Sequence, residues 1–346
     1  MITIQQSPTL NKVLLDGNEN EIKFHSDAGT DFYFKVEIKV NDALFSEKSI
    51  SKDGAGNATL NLKRFYDAYF PSPEITFPSQ ASIVTYPELK VKIEVIIKEL
   101  SVFDDGLSLI SSLPLFYIVK SIKKDNFSLS NLSFLGGAAL EVNASFVNGI
   151  VNFPLFVVDE EILISIKDSN GNLIDQRTQF LLESNVASLF IRLTALTIPA
   201  FTPYITVDLV PNARTDERLR FNVVDIQNKI YPIKTLRYRN NNGVLLQRYF
   251  TGQLSEDRNF NPKSYAQADK TNITYEVNES VDISLNTGTH HTITKEEFTA
   301  IARSPEVLFK LDGVWTRFTS QTKKVTRFVD NQYIYDTVLR FSQQKV

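Results

Sequence analysis

Four short turn signals divide this chain into alternating segments, and they constrain its fold more than anything else in it. The run from Asp53 to Gly56 separates a strand-like region at 31–40 from another at 58–62. Asp168–Gly171 lies between 162–167 and 172–176, and Asn240–Gly243 and Asp312-Gly313 add two more. Asn-Gly and Asp-Gly signal hairpins because a tight hairpin loop needs positive φ at both turn residues. The flanking segments alternate as strands should. Phe34, Val36, Ile38 and Val40 share one face, and Leu89, Val91, Ile93 and Val95 share another.

These features predict an all-β protein of two or three sandwich-like domains with a few short helices. The 25 Phe and 13 Tyr suit pleated, half-buried surfaces. A chain of 346 residues, 42% hydrophobic and 22% charged, has material for more than one core. Two boundaries are expected: a charged stretch at 121–126, and the region 199–211 that holds Pro199, Pro203 and Pro211. They give an N-terminal sandwich-like domain at 1–120, a middle β domain or insertion at 121–200, and a C-terminal β-domain at 201–346. Helical spacing appears at 61–70, where Leu62, Phe65, Tyr66 and Tyr69 precede Pro71. It appears again at 294–303, where Thr294 and Glu297 can form a capping box and Phe298 and Ile301 face inward. Ser304-Pro305 ends that helix.

Little in the sequence points to chemistry. Cysteine is absent, which removes disulfides, thiolate nucleophiles and Cys-based zinc sites. There is no Gly-rich phosphate loop, nucleophile elbow or His-Glu-x-x-His. The histidines are His25, His290 and His291, and adjacent residues on an extended segment point opposite ways, which makes a poor chelate. The acidic runs at 104–105 and 159–161 lack the alternating oxygens of a calcium loop. A net charge of −3, and the dilution of Arg214, Arg218 and Arg220 by Asp216 and Glu217, argue against nucleic acid. The start has no basic or apolar leader pattern, and the apolar run at 108–119 is too short to span a bilayer. No enzyme activity, cofactor, metal or membrane insertion is therefore expected, and folding in a cytoplasm is.

Two features remain as candidate interaction sites. Asn240, Asn241 and Asn242 would offer amide groups at a projecting hairpin tip. Trp315, the only tryptophan, would stack on a sugar if exposed, though such a residue more often anchors its hairpin to the core.

The order of pieces in the last third carries a resemblance. Leu236–Gly243 leads to Arg248–Gly252, then Tyr275–Asn278, Leu285–Gly288, the helix at 294–303, Ser304–Phe309, Trp315 and a closing Val338–Phe341. This block resembles virion structural proteins of tailed bacteriophages and prophages of Bacteroidetes, of distal-tail or baseplate type. The N-terminal third is similar to the same proteins in its Ser7-Pro8 start, its turn at Gly54–Gly56 and the segment ending in Tyr69-Phe70-Pro71. Residues 121–200 match only as generic β-structure. Tyr238-Arg239 stands where the family commonly has an aromatic-Leu pair. The resemblance implies a non-enzymatic virion protein that assembles in the bacterial host cytoplasm with its own copies, as a ring or trimer, and with other virion proteins. The alternatives are a virion module that binds a host surface glycan or receptor, and a jelly-roll capsid or vertex protein.

Overall fold

The computed structural model describes residues 2–6, 13–15, 21–28, 31–62, 77–101, 107–112, 116–119, 132–135, 141–147, 149–226, 232–240, 242–266, 272–286, 295–311, 313–322 and 338–343. The chain is an all-β protein of several sheets, and one nine-residue α-helix stands among the described residues.

In the N-terminal sandwich, Ile2–Gln6, Glu21–Ser26 and Asn57–Asn61 form a three-stranded antiparallel sheet. It covers a larger sheet in which Phe32–Val40 lies between Ala43–Ile50 and the long strand Lys90–Ser101. Leu107–Ser112 and Phe116–Val119 pair with opposite halves of Lys90–Ser101, and Val13–Leu15 runs parallel to Phe116–Val119 at the edge. The faces expected from alternation are the buried ones, except that Leu89 lies in a 3-10 turn and packs in the C-terminal core instead. Phe34, Val36, Ile38, Val40, Val91, Ile93 and Val95 meet Ile22, Phe24, Ala58 and Leu60 across the sandwich. Phe24 and Phe34 touch edge to face, with centroids 4.7 Å apart.

A strand that the turn signals did not announce, Ala43–Ile50, returns from Phe32–Val40 through Asn41 and Asp42. Both loop residues sit at positive φ, 50° and 68°, so this two-residue hairpin uses Asn-Asp with no glycine. The glycine turns behave differently. At Gly56 and Gly171 only the glycine is left-handed, and Gly243 is left-handed as well; the first two loops hold one more residue than a two-residue hairpin and need a single reversal of φ.

The middle of the molecule is a second sandwich. Ile150–Val157 and Asn185–Arg192 pair antiparallel between two short edge strands, Ser133–Phe134 and Ser82–Thr85. Against them lies a five-stranded sheet in the order Glu141–Ala144, Leu219–Asp225, Tyr204–Pro211, Glu161–Lys167, Leu173–Phe180. Val151, Phe153, Leu155, Val157, Ala187, Leu189 and Ile191 pack on Ile162, Ile164, Ile166, Ile205, Val207, Leu209, Phe221 and Val223. The sheet runs across the boundary expected at 199–211. Pro199 and Pro203 flank a turn in which the Thr202 amide and hydroxyl bond the Pro199 carbonyl, and Pro211 ends a strand. The prolines mark the rim of one sheet rather than a linker. Ser82–Thr85, from the expected N-terminal domain, likewise belongs to this sandwich.

The C-terminal sheet has seven antiparallel strands in the order Leu245–Phe250, Lys234–Arg239, Val307–Leu311, Val314–Ser320, Val338–Gln343, Asn272–Asn286, Leu254–Ala266. The helix Lys295–Arg303 buries Phe298 and Ile301 as its spacing required, and the Ser304 amide closes it on the Ile301 carbonyl. Thr294 lies outside the described residues, as does 63–70 of the helix expected at 61–70; Asn61 ends a strand. The core of this sheet is continuous with Phe156, Val158, Val186 and Phe190. The four-stranded sheet of the middle sandwich is thus covered on both faces.

Candidate functional site

Three hairpin turns share one local chemistry. In each, the side-chain oxygen of the first residue accepts from the amides two and four positions on: Asp53 from Ala55 and Asn57, Asp168 from Asn170 and Asn172, Asn240 from Asn242 and Val244. The glycine amide returns to the first residue's carbonyl in all three. This Asx geometry explains why Asp or Asn opens each turn and why glycine stands at its left-handed position. It also changes the reading of the Asn240–Asn242 tip. The Asn240 side-chain oxygen is committed to its own turn, Asn242 is only 4% exposed, and Asn241 lies outside the described residues. Asn242 of this tip is packed rather than projecting.

Trp315 is half-buried, and its ring lies against a cation rather than open to solvent. The Arg237 guanidinium carbon is 3.9 Å from the Trp315 ring centroid and 3.8 Å from that of Phe77. Two rings at that distance occupy the two faces of one planar guanidinium. Burial lowers the Arg237 pKa to about 10. Its Nε donates to Gln247 Oε1 at 2.8 Å. The sequence marks Trp315 as its single tryptophan but marks neither Arg237 nor Phe77. Phe77 stands far away in the chain, and nothing local marks the meeting.

Buried polar groups join the C-terminal sheet to the middle sandwich. Asn152 Nδ2 donates to the Leu245 carbonyl at 2.7 Å, and its Oδ1 accepts the Gln247 amide at 2.9 Å. The Tyr249 hydroxyl accepts from the Ile150 amide and donates to the Ile150 carbonyl. Arg248, 4% exposed, pairs with Glu297 of the helix and reaches the Asn152 carbonyl. The Tyr238 hydroxyl donates to the same Glu297 oxygen. Glu297, read from sequence as half of a capping box, gives this oxygen to an ion pair in the core.

Other charged groups are also spent within the fold. Arg214 pairs with Glu160 and Glu217, while Arg218 and Arg220 converge on Asp208, so the basic cluster is neutralised. A surface cavity of about 290 Å³ is lined by His25, Ser26, Asp27, Lys52, Asp53 and Gly56, among others. His25 Nδ1 lies 3.1 Å from Asn57 Oδ1, and Nε2 lies 2.9 Å from Asp27 Oδ1. Lys52 is buried against Glu99 and over the Phe34 ring. His25 and Lys52 both find partners within the fold. His290, His291 and the run at 104–105 lie outside the described residues.

One element leaves its sheet as a ribbon. Leu254–Ala266 pairs with Asn272–Asn286 along its whole length, but Asn272–Asn286 pairs onward only from Asp282 to Asn286. Beyond Arg258 and Val281 the two strands continue with no third strand among the described residues, for roughly 30 Å at strand rise. Arg258, Asn259, Phe260, Lys263 and Ser264 are exposed, Phe260 by 61%. Elsewhere, Phe201 is 94% exposed at φ 65°, a conformation that bulky residues rarely adopt.

Comparison with known proteins adds little. No family model matches the chain, and no curated protein matches it. Among solved structures, a β-glucuronidase of Parabacteroides merdae aligns at 12% identity and a TM-score of 0.19, over 65% of this chain and 25% of that one. A glycosyl hydrolase family 2 member from Bacteroides cellulosilyticus aligns at 11% identity and a TM-score of 0.20, over 63% and 25%. The chain spans a quarter of the length of each, and at these scores the likeness assigns neither fold family nor activity.

Proposed function

We propose that this chain is a non-enzymatic structural protein of a bacteriophage virion, a distal-tail or baseplate component. It assembles with its own copies as a closed ring or trimer and joins neighbouring virion proteins, after folding in the host cytoplasm. The ribbon of Leu254–Ala266 and Asn272–Asn286 is the observation that supports this reading. A two-stranded hairpin is marginally stable alone in water, and an exposed edge strand is a template for pairing with another chain. A ribbon that continues past its own sheet and presents Phe260 gains stability when a neighbour covers it, and closed symmetry lets every copy be covered. The glycan- or receptor-binding alternative draws less support, since Asn242 is buried and a face of Trp315 lies on Arg237.

Replacing 259–280 by a tight turn from Arg258 to Val281, which keeps the buried Val281, tests this. The pairing of 282–286 with 338–342 is untouched, so the shortened chain should melt as the full chain does. By sedimentation at micromolar concentration, the full chain should form a closed oligomer and the shortened chain should not. A full-length monomer that is also absent from purified particles, or a shortened chain that assembles normally, sinks the proposal.

A further inference from the structure

The stack of Phe77, Arg237 and Trp315 leaves one part of the guanidinium unused. Its faces are taken by the rings and its Nε by Gln247. Among the described residues, no carboxylate lies within ion-pair distance of Arg237, and its two terminal nitrogens have no protein partner. Three neighbouring arginines of this sheet differ. Arg239 and Arg317 share Glu306, and Arg248 has Glu297. Arg237 remains partly exposed, so its outer edge is not sealed in.

The surrounding sheet face is cationic. Register places Arg237 opposite Leu308 and Leu308 opposite Arg317, while Trp315 stands opposite exposed Lys310. Side chains directly opposite in an antiparallel pair share a face. Arg317 and Lys310 therefore border the stack on the side of Trp315, and only Arg317 carries a carboxylate partner among the described residues.

We propose that the terminal nitrogens of Arg237 form a binding site for one carboxylate. Two parallel N–H groups match the two oxygens of a carboxylate in a bidentate pair, the strongest common form of this contact. The rings hold the guanidinium to a single orientation, so little freedom is lost on binding. They also make the approach one planar layer thick. A flat carboxylate continues that layer, whereas the out-of-plane oxygens of a tetrahedral anion meet the ring edges. A half-buried cation without a counter-ion among the described residues gains most from such a ligand, and the lowered pKa of Arg237 agrees with that. This site does not depend on the assembly reading, and either can fail alone.

The only tryptophan of the chain reports on it directly. Trp315 fluorescence of the full chain, titrated with acetate at fixed ionic strength, should change saturably. Chloride and acetamide should give no saturable change, and phosphate a midpoint at least several-fold weaker than acetate. Arg237→Gln should abolish the response. Arg237→Lys, which keeps the charge but not the paired donors, should weaken it about tenfold or more. Should the Gln variant unfold, the Lys variant still decides. Galacturonate and N-acetylglutamate then separate the sources: tighter binding of the first assigns a sugar acid, and of the second an acidic side chain of a protein partner. No saturable response to acetate, an equal response to phosphate or acetamide, or unchanged binding in the Lys variant overturns the site.

Discussion

The side-chain amide of Gln179 pairs with the backbone of Ile83 as another strand would. Oε1 accepts the Ile83 amide at 2.8 Å, and Nε2 donates to the Ile83 carbonyl at 2.7 Å. Asn152 treats the edge strand Leu245–Phe250 the same way, through the Leu245 carbonyl and the Gln247 amide. Two strand edges inside the fold are thus closed by side chains that carry a peptide-like group. Asn152→Ala would leave two buried backbone groups without partners and should cost about 2–4 kcal/mol. Gln179→Ala, in a half-exposed place that water can reach, should cost less. Urea midpoints of the two variants check the order, and equal losses would refute it.

The recurring turn makes a sharper comparison, because its glycines meet different surroundings. Gly56 and Gly171 both sit at positive φ, 81° and 87°. A Cβ on Gly171 would meet nothing within 4 Å, whereas one on Gly56 would lie 2.4 Å from the Ser26 carbonyl oxygen. Gly171→Ala should cost about 1 kcal/mol, the conformational part alone. Gly56→Ala should cost distinctly more, since backbone must move. Thermal unfolding of both proteins would show it.

Glu297 binds Arg248 and Tyr238 in the core beneath the helix. Glu297→Ala strands a buried guanidinium and should cost about 3–5 kcal/mol. Glu297→Gln keeps an oxygen for both donors and should cost less. Chemical denaturation of the pair gives the comparison, and a harmless Ala variant would mean that Arg248 finds another anion.

Acid should weaken the middle sandwich at Asp208. Burial alone pushes this carboxyl up, but hydrogen bonds from Arg218 and Arg220 outweigh it and hold the pKa below the ordinary 3.8. A carboxyl depressed on folding contributes its full stability above the ordinary value and loses it as pH falls through the folded one. Asp53 and Asp168, lowered by hydrogen bonds from Asn57 and Asn172 respectively, act in the same direction. Melting temperatures from pH 7 to pH 2 should show the gap between the native chain and Asp208→Asn closing below about pH 4. A constant gap would remove Asp208 from the acid response.

What could be read from the sequence was local. Phe34 to Val40 and Val91 to Val95 alternate because one face meets a core and the other meets water. Ile150–Val157 and Asn185–Arg192 have cores on both faces, so alternation vanishes and they pass as generic β-structure. Ser82–Thr85 joins a partner about a hundred residues away, and no local pattern carries such a pairing. The hairpin Phe32–Val40 to Ala43–Ile50 stayed hidden because its turn is Asn41-Asp42 and not a glycine turn, and its second strand is mostly exposed. Trp315 was recognisable as a residue worth placing. Its partner was not, since Arg237 and Phe77 come from separate elements that only the tertiary fold stacks.

The central sheet, with Phe153 and Leu155 turned to one side and Phe156 and Phe190 to the other, has a consequence for any attempt to divide the protein. Cutting after Ile233 would lay Phe156, Val186 and Phe190 open to water, and the released fragment would bring an equally naked Leu236, Tyr238 and Phe250. Neither half is a separable cassette. The middle and C-terminal parts should melt in one transition, resist a single proteolytic nick together, and be inherited or exchanged only as a unit.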